Sequence, residues 1–122
     1  MNLGCLALAI LVAANAVAVG AQDLVEIRVR GRFYTEPATV RITVAVRPDQ
    51  ENRTLVILAD GDRFFRSSEV TLEGDKEQRI HTVEFKNLPA GHYVLRAEVH
   101  SNARMRAAAE ESLTVGEPGD AR

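Results

Sequence analysis

The segment Gly-His-Tyr-Val-Leu-Arg-Ala-Glu-Val-His, residues 91–100, carries the alternation that decides the fold class. An apolar side chain stands at every second position from Tyr93 to Val99, and the positions between are mostly polar. Successive side chains of a β-strand point to opposite faces of its sheet, so this period of two is typical of a strand with one buried face. The segment therefore predicts a strand in which the face that carries Tyr93 is turned toward a hydrophobic core.

The same alternation recurs upstream and downstream of this segment. Clusters of turn residues, among them Pro48-Asp49 and Asn87-Leu88-Pro89, separate the alternating stretches. The predicted strands cover residues 25–30, 40–47, 55–59, 63–67, 68–72, 80–85, 92–100 and 105–115. The Asp60-Gly61 dipeptide predicts a two-residue hairpin turn after the strand at 55–59.

Residues 103–112 are the one stretch where a helix competes with a strand, since Ala, Met, Arg and Glu are all good helix formers. Met105, Ala107 and Ala109 nevertheless keep the period of two, which favours a strand. About seven short strands at intervals of roughly ten residues predict an all-β fold, an antiparallel sandwich of two sheets.

Residues 1–21 have the composition of a secretory signal peptide. Seventeen of them are apolar, none has a charged side chain, and small residues precede the predicted cleavage point after Ala21. An uncleaved membrane anchor is the alternative, because about 20 apolar residues can span a bilayer. We predict a signal peptide at 1–21, a domain at 22–115 and a flexible tail at 116–122. The domain is then periplasmic or extracellular, without stable membrane insertion after cleavage.

The composition excludes several classes of function. The chain has 15 basic and 17 acidic residues, so its net charge of −2 gives no electrostatic reason to expect nucleic-acid binding. Its single cysteine, Cys5, lies in the predicted leader, so the cleaved chain would have neither a disulfide nor a reactive thiol. No Gly-x-Ser-x-Gly sequence occurs. We therefore predict that the chain is not an enzyme, has no cofactor and is a monomer.

Histidines and paired aspartates are the candidate metal ligands. His92 and His100 share a strand face but lie about 26 Å apart at ~3.3 Å per residue, too far to bind one ion. His81 stands at every second position with Val83 and Phe85, so on a strand it shares their face and is expected to pack against the edge of the core. Asp60 and Asp62 offer two carboxylates, whereas calcium usually takes six or more oxygen ligands. The Asp60-Gly61-Asp62 segment is better interpreted as a hairpin turn, and we predict no metal site.

The sequence Leu88-Pro89-Ala90-Gly91-His92-Tyr93 resembles the corner before the sixth strand of bacterial immunoglobulin-like and fibronectin type III-like domains. The resemblance implies an immunoglobulin-like sandwich over residues 24–115, and it implies that the Tyr93 hydroxyl reaches back to a main-chain group near the turn. The structural corner would consist of Leu88, Pro89, Gly91 and Tyr93. The paired cysteines and core tryptophan of antibody domains are missing. A transthyretin-like sandwich has a similar corner, so the strand topology stays open between the two.

This resemblance implies a protein-interaction or structural domain of the bacterial envelope, with a protein partner there. Phe64 and Phe65 are one candidate surface, because adjacent strand residues point to opposite faces and both cannot enter one core. Arg28, Arg30 and Arg41 on the first two strands are a second candidate. They imply the alternative function, binding of a carbohydrate or an anionic envelope polymer. A solvated face paired with carboxylates is the simpler interpretation of the same arginines.

Overall fold

The structure, a computed structural model, describes residues 24–119 as eight β-strands and one short 3₁₀ helix. In chain order these elements are β1 (Val25–Val29), β2 (Phe33–Thr35), β3 (Ala38–Val46), β4 (Thr54–Gly61), β5 (Phe65–Thr71), the 3₁₀ helix (Gly74–Lys76), β6 (Ile80–Leu88), β7 (Gly91–His100) and β8 (Met105–Gly116). No helix in the described range is long and apolar enough to cross a membrane. The predicted signal peptide and the end of the predicted tail lie outside the described residues, so they stay predictions.

The strands form two sheets, as the alternation predicts, and the all-β fold class is confirmed. One sheet has the strand order β1-β3-β6 and the other has the order β2-β8-β7-β4-β5. The ambiguous stretch at 103–112 belongs to strand β8, not to a helix. It pairs with β7 along almost its whole length, and this pairing outweighs the helix propensity of its residues.

Two details of the predicted strand set are wrong. Residues 63–72 contain the single strand β5, whereas the sequence pattern predicts two strands there. Strand β2 is missing from the prediction, because three residues are too few for an alternation to be recognised. Its pairing with β8 is parallel, so the larger sheet is mixed and not wholly antiparallel.

The hairpin between β4 and β5 turns later than Asp60-Gly61 predicts. Gly61 is the last residue of β4, and its amide donates a hydrogen bond of 2.8 Å to the carbonyl of Phe64. A Cβ atom on Gly61 would stand 2.6 Å from Cε2 of Tyr93. The glycine is therefore explained by close packing against a ring on the neighbouring strand β7, since its φ is not in the left-handed region.

The core lies between the sheets and is built from alternate residues of most strands. On β7, the side chains of Tyr93, Leu95, Ala97 and Val99 are buried and Val94 between them is exposed. The other fully buried large apolar side chains are Val25, Val40, Ile42, Val44, Leu55, Ile57, Leu88 and Val115. The period of two in the sequence thus matches the inward and outward faces of the sheets.

His81 is buried at the start of β6, on the core side that its parity predicts. Only 6% of its surface is exposed, and within residues 24–119 its Nε2 atom has no hydrogen-bond partner. The imidazole is therefore not fully satisfied by its surroundings, contrary to the expectation for a structural histidine.

Candidate functional site

A cleft of about 520 Å³ opens at one end of the larger sheet. Four separate parts of the chain surround it: strand β2, the β4–β5 turn, the start of β7 and the end of β8. Its aromatic, charged and hydroxyl-bearing lining includes Phe33, Asp62, Arg63, His92, Thr114 and Glu117. We call this site the β2–β8 cleft.

The parallel pairing of β2 with β8 builds one wall of the β2–β8 cleft. Phe33 lies opposite Thr114, and the amide of Thr114 donates a 2.8 Å hydrogen bond to the carbonyl of Arg32. Just past β2, the amide of Glu36 donates to the carbonyl of Gly116 at 2.9 Å. These bonds fix the backbone of β2, and Phe33 lies at the rim, where 84% of its surface is exposed. The ring is therefore accessible to a molecule that enters the cleft.

His92 lies at the start of β7, on the other side of Thr114 from Phe33. Its Nδ1 atom lies 3.1 Å from the hydroxyl of Thr114, its cross-strand partner on β8. This hydrogen bond restricts the orientation of the imidazole ring. Within the described part of the chain Nε2 of His92 has no bonded partner, so that atom can bond to a ligand.

Asp62 and Arg63 form the tip of the β4–β5 turn, and both are exposed. Neither side chain has an ion-pair or hydrogen-bond partner among residues 24–119. A second depression, of about 480 Å³, adjoins the β2–β8 cleft and shares Asp62, His92 and Thr114 with it. Asp60 lines this second depression, so two unpaired carboxylates of the described chain lie at this end of the sheet.

The corner between β6 and β7 forms the floor of this end of the sheet. The Tyr93 hydroxyl donates a 2.6 Å hydrogen bond to the carbonyl of Pro89. The amide of Ala90 donates to the Glu36 carboxylate at 2.7 Å, which ties the corner to the end of β2. Burial raises the pKa of Tyr93 most, and the charges of Asp62 and Glu36 raise it further against the opposing effect of Arg66.

Replacing Tyr93 by phenylalanine is expected to lower the free energy of unfolding by about 1 kcal/mol or somewhat more. The substitution removes one buried hydrogen bond and leaves the carbonyl of Pro89 without its donor. Urea unfolding followed by circular dichroism measures the change. Tyr34→Phe is the matched control, because the Tyr34 hydroxyl donates to the Arg30 carbonyl at an exposed position where water can replace it. Equal unfolding free energies for wild type and Tyr93→Phe would show that the corner bond contributes nothing.

The predicted aromatic surface at Phe64 and Phe65 is split between two faces. Phe64 packs against the core, and the guanidinium of Arg66 lies 5.2 Å from the centre of its ring. Phe65 is 58% exposed on strand β5. Neither residue lines the β2–β8 cleft.

The predicted arginine face lies on the smaller sheet, away from Phe64 and Phe65. Arg28, Arg30 and Arg41 surround one shallow depression of about 640 Å³. Arg28 pairs with Glu26 at 2.7 Å, and Arg41 pairs with Glu84 at 3.6 Å. Two of the three positive charges are therefore compensated by carboxylates of the same sheet, as expected for a solvated face.

The histidines do not form a shared site. His92 and His100 lie at opposite ends of β7, and His100 bonds to Glu98 at 2.9 Å. Glu98 also accepts a hydrogen bond from Arg96, which is the largest of the effects that hold the pKa of this carboxyl below its usual range. Over residues 24–119, no three side chains of His, Cys, Asp or Glu are close enough together to hold a metal ion.

Most residues of the β2–β8 cleft could not be recognised from the sequence. Phe33, Arg63 and Thr114 belong to no motif, and only the parallel pairing of β2 with β8 brings the first and last of them together. One signal was available: Phe33 and Tyr34 are adjacent aromatic residues, so the argument used for Phe64 and Phe65 predicts an exposed ring here as well.

No family model and no curated protein sequence matches this chain. Among solved structures, the chain is similar to a superoxide reductase (neelaredoxin) from Ignicoccus hospitalis, with a TM-score of 0.59 and 18% identity, over 75% of this chain and 80% of that one. A variant of the same enzyme with one substitution gives the same TM-score and identity over 79% of its length. At this level of identity the likeness shows a common fold.

These comparisons correct the predicted family and the function drawn from it. The assignment to immunoglobulin-like or fibronectin type III-like domains is wrong, because the solved structures that match are superoxide reductases. The corner from Leu88 to Tyr93 stabilises any sharp entry into a buried strand, so it does not identify a family. The functional predictions are overturned with it, since the matching proteins are enzymes by name. These predictions are a non-catalytic envelope module, polymer binding as its alternative, and the absence of an enzymatic role. The chain therefore shares its fold with superoxide reductases.

Proposed function

We propose that this chain binds a small molecule in the β2–β8 cleft. The observation that carries the proposal is the convergence of four chain segments on one cavity of about 520 Å³. Small-molecule sites are typically concave, occupy roughly 300–1,000 Å³ and have a few polar groups that orient the ligand. Asp62, Arg63 and His92 are such groups, because each retains hydrogen-bonding atoms that the described residues do not use.

The rim of the β2–β8 cleft supports the same proposal. Phe33 is the most exposed of the large apolar residues in the described chain, although backbone hydrogen bonds to β8 at Arg32 and Glu36, before and after it in sequence, fix its strand. Because the backbone of β2 is already fixed, binding needs to order only the Phe33 side chain, which is suited to cover a planar ligand.

Superoxide reduction is the activity stated in the names of the matching structures. Such a reaction needs an electron source, which proteins commonly provide with a metal ion or another redox-active group. The donor set in residues 24–119 does not fit a resident metal ion, because no three candidate ligands come together there. We therefore derive no redox step from the described side chains.

Nuclear magnetic resonance titration of the ¹⁵N-labelled chain tests the proposed site. The probes are benzylamine, benzyl alcohol and benzoate, three small aromatic molecules that differ in charge. At least one of them is expected to shift the amide signals of Phe33, His92 and Thr114. Phe33→Ser should weaken that binding by roughly fivefold, as expected for the loss of one aromatic contact.

Phe65→Ser is the matched control, because Phe65 is also an exposed ring but lies outside the β2–β8 cleft. It should leave the affinity unchanged. Absence of shifts at Phe33, His92 and Thr114 with all three probes would contradict the proposed function.

A further inference from the structure

The unpaired charges around the β2–β8 cleft indicate which class of ligand it takes, an inference that rests on the proposed function. We infer that the ligand is a small organic cation, bound between the ring of Phe33 and the carboxylate of Asp62. Both residues line the same cavity, on opposite sides of His92 in the sheet order.

The balance of free charges at this end of the sheet is negative. Asp62 lines the β2–β8 cleft, Asp60 lines the adjoining depression, and neither is paired within residues 24–119. Arg63 is the one arginine in the described lining of the cleft. Arg66 on the same hairpin keeps its charge, but it donates to the carbonyl of Lys86 at 2.7 Å, lies over the Phe64 ring and lines neither depression. With the two unpaired carboxylates Asp60 and Asp62 against Arg63, this end of the sheet favours positive ligands.

The charge of Asp62 also affects the buried Tyr93 hydroxyl, beside the corner between β6 and β7. The charges of Asp62 and Glu36 both raise the pKa of Tyr93, whereas Arg66 alone opposes them. Burial is the largest cause of this raised pKa, and the two carboxylates add to it.

Phe33 supplies the second part of a cation site. The face of an aromatic ring is electron-rich, so it attracts a positive group that approaches within about 6 Å of its centre. With 84% of its surface exposed at the rim, the Phe33 ring is accessible to such a group. A carboxylate and an open ring in one cavity form a combination that suits an amine or a quaternary ammonium better than an anion.

An inorganic divalent cation fits this site less well. Calcium usually takes six or more oxygen ligands, and magnesium requires near-octahedral geometry. In the part of the chain that the structure describes, no group of three metal-ligating side chains is present. An organic cation needs only one carboxylate for its charge and can use the Phe33 ring for its apolar part.

The test compares the dissociation constants of benzylamine, benzyl alcohol and benzoate, which have the same ring and differ in charge. Benzylamine is expected to bind about tenfold more tightly than benzoate, and Asp62→Asn should weaken benzylamine by roughly fivefold. Asp75→Asn is the matched control, because Asp75 is an exposed aspartate in the 3₁₀ helix, outside the β2–β8 cleft. It should change neither constant. Raising the salt concentration should weaken benzylamine more than benzyl alcohol.

The outcomes separate the ligand class from the proposed function. Binding of benzoate or benzyl alcohol in the cleft at least as tight as that of benzylamine would overturn the cation inference and leave a small-molecule site. Displacement of benzylamine by calcium chloride, but not by tetramethylammonium chloride, would replace the organic cation with an inorganic one. Failure of every probe to shift the cleft signals would overturn both proposals. Asp60→Asn provides a second charge-removing variant if Asp62→Asn disturbs the turn.

Discussion

Replacing Leu95 by alanine is expected to lower the free energy of unfolding by about 2 to 5 kcal/mol. Leu95 has no exposed surface and stands in the middle of β7, which is paired on one side with β4 and on the other with β8. Strands on both sides limit how far the surroundings can collapse into the cavity that the substitution leaves. Urea unfolding followed by far-ultraviolet circular dichroism gives the difference.

Val94→Ala is the matched control for this prediction. Val94 precedes Leu95 on the same strand but is 41% exposed, so it faces away from the core. The control should cost less than about 1 kcal/mol, because little apolar surface is lost from the core. Equal costs at the two positions would show that β7 does not alternate between an inner and an outer face.

Gly61→Ala is expected to destabilise the fold by about 1 to 3 kcal/mol, although alanine differs from glycine by one methyl group. The added Cβ would lie 2.6 Å from Cε2 and 2.8 Å from Cδ2 of Tyr93, and 3.0 Å from the carbonyl oxygen of Phe64. Those ring atoms belong to a buried side chain that a hydrogen bond to Pro89 holds in place, so the ring cannot simply rotate away. Thermal and urea unfolding of the single variant measure the cost.

A double-mutant cycle with Tyr93→Leu identifies the cause of the Gly61 effect. Leucine lacks the ring atoms that the new Cβ would meet, so Gly61→Ala should cost less in the Tyr93→Leu background. Contacting residues typically show coupling of about 0.5 to 3 kcal/mol. If Gly61→Ala costs the same in both backgrounds, the packing of Gly61 against Tyr93 is not the reason for the glycine.

The alternation of apolar residues predicts strands well where it extends over five or more residues. Strands β1, β3 and β7 each present a long buried row, and the burial pattern of β7 agrees with the sequence at every second position from Tyr93 to Val99. The period of two also resolves β8 correctly, although its composition favours a helix. These elements depend on local patterns, which a single sequence contains.

Features that depend on pairing between distant segments could not be predicted in the same way. Strand β2 has only three residues, and its parallel partner β8 lies far along the chain. The β2–β8 cleft exists because of this pairing, so Phe33 and Thr114 could not be placed together from their spacing. Asp60-Gly61 illustrates a different difficulty: the glycine is required by the neighbouring Tyr93 ring, although the dipeptide has the composition of a tight turn.

The corner motif shows why a correct local interpretation led to the wrong family. The Tyr93 hydroxyl does bond to a main-chain carbonyl near the turn, at Pro89. Such a bond satisfies a buried hydroxyl wherever a chain reverses into a core strand, so it is not specific to immunoglobulin-like domains. The solved structures that match this chain are superoxide reductases. A motif that solves a general packing problem contains information about the fold and little about function.

Intermolecular nuclear Overhauser effects from bound benzylamine test most directly whether the β2–β8 cleft is a binding site for small organic cations. The ring protons of the probe are predicted to show contacts with the ring of Phe33 and the methyl group of Thr114, two residues that line the cavity from adjacent strands. Contacts confined to Phe65 and Ile80, exposed apolar residues outside the cavity, would contradict the proposed site.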